Sequence, residues 1–448
     1  MLARHSSEAG LIEKAAGLWG KAGQRSLARS ALIEAIEQLR RALDLIAALP
    51  ATKAMRRDQI NLQVALANAL MHTKGFATHE TKAALGQARL LIEKAEALGE
   101  PPEDPLLLFS ILYGFWATNY VGHNGDALRE LALQFLALAK KQTATGPLMV
   151  AHRLMGTSLS TTGDLVEGRT HLDKAIALYE RAEHSPLATR FGQDVGVVIL
   201  SWRSWTVWVL GYPEAALADA ERAIKNAREI GHAPTLMYAL HFAPWTAILR
   251  GDYAEANARA GELIALGEQK GAAFWKEGGI VIRGCLLALT GQPEAAIQTI
   301  NTGMNFWRST GSSYTFSLSL PHLATAYANL GQFDDAWRCI REALTMVETT
   351  KERWCEAEVH RNAGEIALKS AQSNRAEADF ERALSVARAQ QAKSWELRAA
   401  MSLARLWRSQ GKVQQARELL APVYGWFTEG FDTRDLKEAK ALLEELNV

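Results

Sequence analysis

Cysteine is scarce in this chain, with only Cys285, Cys339 and Cys355 among 448 residues. Three scattered thiols make neither a disulfide framework nor a zinc site, and they fit a reducing, cytoplasmic setting. Charge of one sign is also missing. The formal net charge is +1 with both signs interspersed, which argues against a dominant nucleic-acid or membrane-surface role. Strand signals are nearly absent. The string Gly17-Leu18-Trp19-Gly20-Lys21-Ala22 has the wrong spacing for a phosphate loop and no Ser or Thr after the lysine. There is no His-Glu-x-x-His pair and no Gly-x-Ser-x-Gly. The histidines are dispersed. Carboxylates fall in patterns such as Glu34/Glu37/Arg41 and Glu438/Lys440, which read as solvated faces. These absences point to a non-enzyme, with no catalytic, cofactor-binding or metal-binding residues. Met1 to His5 has no apolar core behind it, so no signal peptide is read there. Two charge-free runs, 105–122 and 233–249, approach membrane-spanning length. Gly114, Thr118 and Asn119 in the first, and His241 and Pro244 in the second, make them buried helices instead.

What the chain does have is a period. Gly211, Gly251, Gly291, Gly331, Ala371 and Gly411 are spaced by forty residues. Seven positions before each stands a small residue or proline: Ser204, Pro244, Gly284, Ala324, Gly364, Ala404. Five positions after stands alanine: Ala216, Ala256, Ala296, Ala336, Ala376, Ala416. Seven residues are two helical turns, so the frame marks single helix faces where two helices approach closely. The periodic glycine supplies the left-handed residue at the reversal between them. Each unit is therefore helix, tight turn, helix, and such a pair needs neighbours on both sides to bury its apolar face. Gly156, Gly163, Gly168 and Ala175 extend the frame backwards across an insert at Glu183-His184-Ser185-Pro186. Gly125 with Ala132 and Ala139, Gly75 with Ala88 and Ala95, and Ala35 with Ala42 mark looser units.

This pattern resembles the tetratricopeptide repeat (TPR), although that repeat is shorter, at about 34 residues. HEAT-type repeats have the length, but the turn glycine and paired alanines favour the TPR. The resemblance implies an all-α, right-handed superhelical solenoid of about ten hairpins. The expected organisation is a diverged array over 1–146, a regular array over 147–425 and a capping helix over 426–448. The polar outer face of that last helix suits a cap, whereas Leu11, Ile12, Ala15, Leu18 and Trp19 form an N-terminal apolar stripe that wants a neighbour.

The first helix of each TPR lines a concave groove. On that resemblance Arg153, Thr157 and Ser160, then Trp205 and Trp208, then Tyr238, His241 and Trp245 would face it. Towards the C-terminus the same register brings Glu358, Arg361 and Glu365, then Arg398, Arg405 and Arg408. Thirteen tryptophans are many for this length. An aromatic middle with an arginine-rich end suits an extended peptide with an acidic part, and a groove position predicts that Trp205→Ala with Trp245→Ala abolishes binding but leaves the chain folded.

Three segments carry a closer resemblance: Ala22–Ser26 continuing through Glu34–Leu43, the string Arg190-Phe191-Gly192-Gln193-Asp194-Val195-Gly196-Val197, and Gln390–Ala400 continuing through Leu420–Thr433. They are similar to the C-terminal helical region of bacterial signalling proteins in which a class III adenylate/guanylate cyclase domain and a STAND-type ATPase precede a TPR array. The resemblance implies a regulatory, protein-binding module, with a cyclase or ATPase polypeptide as a possible partner. No catalytic residue carries over, because no position here matches one. Two alternatives follow: a piece of a cyclase-class protein whose catalytic domains lie outside this sequence, or the array of an ATPase-type transcriptional regulator such as the maltose activator. No helix-turn-helix or basic stripe supports the latter.

Overall fold

The computed structural model describes residues 2–100, 104, 106–122 and 124–447, and all regular structure among them is helical. A short helix, Leu2–Glu8, precedes ten successive helix pairs. The first four are Ile12–Ala28 with Leu32–Ala47, Lys53–Thr73 with His79–Ala97, Leu106–Val121 with Gly125–Ala139, and Thr145–Thr161 with Leu165–Ala177. The short helices of the insert follow, between Arg181 and Phe191. Six regular pairs run from Val195–Val209 with Pro213–Ile230 to Lys393–Ser409 with Val413–Tyr424, and Arg434–Glu445 closes the stack. Its Leu436, Ala439 and Leu442 are buried.

The forty-residue frame has a direct structural cause. Gly211, Gly251, Gly291, Gly331 and Gly411 all have positive φ, and Ala371 takes the same conformation at φ 59°. The six alanines five residues later are fully buried. At Gly284 an added Cβ would come within 2.8 Å of the Ile300 backbone nitrogen, so the small position sets how closely the two helices of a pair approach. A second comb lies twenty residues out of phase: Gly231, Gly271, Gly311, Lys351 and Gln391 also have positive φ and end the second helix of each pair. The spacing of the three glycines was visible in the sequence; Lys351 and Gln391 break the pattern and hide it.

The two charge-free runs become packed helices. Every residue of Ala233–Arg250 except Leu236 is buried, and no described helix is long and apolar enough to cross a membrane. Residue 105 lies outside the described residues.

The solenoid is wound so tightly that successive turns touch. Hydrogen bonds join residues 186 to 203 positions apart: Ala233 N to Ser30 Oγ, Trp275 Nε1 to His72 Nδ1, Tyr120 Oη to Tyr314 Oη, Ser312 Oγ to the Val121 carbonyl and Ser394 Oγ to the Trp208 carbonyl. With a forty-residue unit, about five pairs complete one turn. The last carbonyls of a helix have no partner within it. Here the ends of the inner helices find donors at the starts of inner helices one turn on. Ser313 N donates to Val121 O at 3.0 Å, and Arg353 N donates to Thr161 O at 2.9 Å. Head-to-tail stacking also aligns the helix dipoles favourably. One hydrophobic cluster consequently runs from Ala16 to Leu446.

The insert fastens this arrangement. Asn68 Nδ2 donates to the carbonyls of Thr189 and Arg190, and His72 Nε2 lies 3.1 Å from the Gly192 carbonyl. Asp194 caps Val195–Val209 by accepting from Val197 N at 3.0 Å and also accepts from Tyr179 Oη at 2.9 Å. The string from Arg190 to Val197 is thus a clasp between the second, third and fifth pairs.

Candidate functional site: a charged pocket on the inner surface

Closure of the turns decides which inner-face residues meet solvent. Arg153, Thr157, Ser160, Trp205, Trp208, Tyr238, His241 and Trp245 do lie on the inner helices, and all are at least 96% buried. Trp205 stacks on Trp354 of the following turn, with centroids 5.2 Å apart at 21°. Trp208 meets Trp395 edge-on at 4.7 Å. His241 is enclosed by Trp275, Trp307 and Tyr314, and burial pushes its imidazole down to about 3. The aromatic middle is the axial core of the superhelix.

The inner surface opens further on, in a pocket of about 290 Å³. Five of the six C-terminal residues expected in the groove line it: Glu358, Arg361, Glu365, Arg398 and Arg405. Arg408 does not, and pairs with Glu445 of the last helix. The floor comes from both turns. Ile248, Leu249, Gly251 and Tyr253 belong to one, and Trp395, Arg398, Arg434, Asp435 and Glu438 belong to the next.

Glu358 is the electrostatic centre. Arg361 grips it with both Nε and Nη2, each at 2.7 Å, and Arg398 Nη1 lies 3.5 Å away. Burial alone would raise this carboxyl; Arg361 first, then Arg398, outweigh that and hold it at about 2. Arg361 also reaches Glu365, which accepts from Ser402 Oγ at 2.7 Å. Arg398 donates to Asp435 at 2.7 Å and to the Leu249 carbonyl at 2.8 Å, and its guanidinium lies over Trp208 and Trp395. It therefore ties the end of one inner helix to the last helix of the chain. At the rim, Glu438 accepts from Arg405 at 2.8 Å and from Arg434 at 2.7 Å. This corrects the solvated-face reading of Glu438 with Lys440, because Lys440 turns to Glu444. His322 stacks on Trp245, and burial, against the pull of Glu358, keeps it neutral at about 4.

Arg434, Asp435, Glu438, Tyr253 and His322 were not expected in the site. They reach it only because the pitch closes, and the only sequence signal was the polarity of the last helix. The walls present five cations (Arg361, Lys369, Arg398, Arg405, Arg434) and four carboxylates (Glu358, Glu365, Asp435, Glu438). Arg361 and Arg398 are largely committed to the protein's own carboxylates. Arg405, Arg434 and Lys369 sit nearer solvent, where an incoming carboxylate could compete for them. No group of three or more His, Cys, Asp or Glu among the described residues is placed to hold a metal.

Comparison with known proteins places this architecture in a class. No protein-family model matches the chain. It is similar to the uncharacterized protein R02095 of Rhizobium meliloti (strain 1021), with 25% identity over 420 residues, covering 90% of this chain and 39% of that protein. The chain thus spans about two fifths of the length of the curated relative it matches. Among solved structures it is similar to a Rap protein complexed with competence and sporulation factor, with a TM-score of 0.58 and 10% identity, over 85% of this chain and 99% of that one. It is also similar to the APC/C hetero-tetramer Cut9–Hcn1, with a TM-score of 0.51 and 13% identity, over 99% of this chain and 74% of that one. The fold is a TPR-like helical-repeat solenoid.

Proposed function

We propose that this chain is a non-catalytic scaffold or sensor whose inner-surface pocket captures an extended peptide or protein segment carrying an acidic side chain. The observation that carries the reading is the pocket around Glu358, Arg361, Arg398 and Arg405, the part of the expected groove that remains open. The Rap protein solved with competence and sporulation factor supports it as a solenoid of this shape with a bound partner.

The pocket has a property that suits sensing. Its walls belong to two successive turns, so a bound segment touches both. A ligand that prefers one spacing of the turns shifts the population of pitches by its differential affinity. The finer proposal is that this array is the regulatory arm of a cyclase/ATPase signalling protein. The three segments that resemble that family support it, and so does a relative most of whose length lies outside the match.

The test is site-specific photo-crosslinking. A benzophenone amino acid replaces Thr325 on the pocket wall, or Arg375 on the half-exposed second helix of the ninth pair, and adducts formed in bacterial lysate are sequenced. Adducts confined to position 325, with one recurring acidic segment, support the reading. A cyclase or ATPase polypeptide among them supports the finer proposal. Equal adducts at both positions, or none at 325, overturn the pocket assignment.

A further inference from the structure

Arg153 is buried and makes no ion pair among the described residues. It projects from Thr145–Thr161 into the axial core, with 4% of its surface exposed. Its guanidinium carbon lies 4.8 Å from the ring centre of Trp116 and 5.4 Å from that of Tyr113. No carboxylate among the described residues lies within ion-pair distance of it. Its neighbours are Tyr113, Tyr238 and Gln193, which line one cavity with it. The buried carboxylate Glu352 acts on the same Tyr314 hydroxyl as Arg153 does, and it accepts from Trp354 Nε1 at 3.1 Å. Ring faces recover only part of the cost of burying a cation.

Two further groups around the same cavity point the same way. Gln193 is 2% exposed, and its Oε1 accepts from Tyr113 Oη at 3.1 Å, which leaves the Nε2 amide as a donor with no acceptor. Tyr238 Oη lies beside the Arg153 guanidinium and the Trp202 indole yet makes no hydrogen bond of good geometry. Arg153 Nε is likewise without an acceptor. The guanidinium lies beside the Tyr113 and Tyr238 hydroxyls, but Arg153 Nε, Gln193 Nε2 and Tyr238 Oη, all on residues at least 96% buried, have no hydrogen-bond partner around this one small space. Buried polar groups are otherwise almost always paired. The cavity they line is small, about 20 Å³, which is above the ~10–15 Å³ that one water needs.

We propose that Arg153, Gln193 and Tyr238 hold one small monovalent anion, of chloride size, on the axis of the superhelix. The rings around it, Trp116 and Tyr120 from one turn and Trp275 and Tyr314 from the next, make it a pin between turns. The site is distinct from the charged pocket, and its failure would leave the peptide-binding reading untouched.

The test compares thermal unfolding of the full chain in sodium chloride, sodium bromide and sodium gluconate at equal ionic strength. A saturable rise of several degrees in both halides over gluconate, abolished in Arg153→Met, is the expected result. Equal midpoints in all three salts, or the same halide gain in Arg153→Met, would overturn the proposal. Should that variant not fold, crystals of the unaltered chain grown in bromide decide. An anomalous peak beside Arg153 Nε supports the site, and its absence refutes it.

Discussion

Replacing Trp205 with alanine distinguishes a ring that lines a ligand groove from one that holds two turns together. Trp205 is 2% exposed. Its Nε1 donates to the Phe242 carbonyl at 3.1 Å. Its ring lies 4.4 Å from Phe242, 5.6 Å from Trp202 and 5.2 Å from Trp354, which belongs to the next turn. Truncation removes all of these contacts and leaves a cavity that rigid helices cannot collapse, at a cost of about 3–5 kcal/mol. An unfolding entropy of about 2.1 cal/mol/K per residue gives roughly 0.9 kcal/mol/K for this chain, so a cooperative transition should fall by about 3–5 °C. Differential scanning calorimetry with circular dichroism reads this directly. Trp354→Ala should fall similarly, and the double variant by less than the sum, because the two rings touch. A Trp205→Ala chain with an unchanged midpoint and lost partner binding would instead place the ring in an open groove.

Other consequences follow from particular contacts. Burial holds His72 and His241 at about 3 and His322 at about 4, below the ordinary 6.5, so the unfolded chain takes up the protons first. Their stabilisation is complete above pH 6.5 and is lost as pH falls towards 3–4, by about 1.4 kcal/mol per pH unit for each histidine. The midpoint should be flat above pH 7 and drop steeply between 6 and 4, and a flat profile to pH 4 would contradict the burial. Arg361→Met leaves Glu358 buried with its main partner gone and should cost about 3 kcal/mol, with partial recovery in Arg361→Met/Glu358→Gln, measured by urea unfolding. Ala371→Gly relieves the left-handed alanine and should be neutral or stabilising by about 0.5 kcal/mol, whereas Gly284→Val should destabilise by more than 1 kcal/mol because its side chain meets Ile300.

The repeat was legible because each unit solves the same local problem. A left-handed reversal needs glycine at 211 or 251, and a close helix pair needs Ala216 or Gly284. These are nearest-neighbour demands, and they recur at fixed spacing in the sequence. The register of the inner helices was legible for the same reason, which is why Arg361 and Arg398 were expected on the inner surface. Pitch was not legible. Whether Trp205 meets a ligand or Trp354 depends on the small rotation from each pair to the next, summed over about five pairs, and no single residue encodes that sum. The outcome for the site follows. The aromatic half of the expected groove is covered by the next turn, five of its six charged residues line the pocket, and Arg434, Asp435 and Glu438 join them from a helix that looked like a cap.

Closure of the pitch underlies both the sealed core and the location of the pocket, and hydrogen–deuterium exchange of the full chain tests it most directly. The amides of Ser313 and Arg353 lie in connections between helices, where an open solenoid would leave them to water. In this structure they donate to Val121 O and Thr161 O of the preceding turn. Protection of these two amides close to that of the helical amides beside them is the expected result. Exchange as fast as that of exposed loops, with the helices themselves protected, would show the turns apart and contradict it.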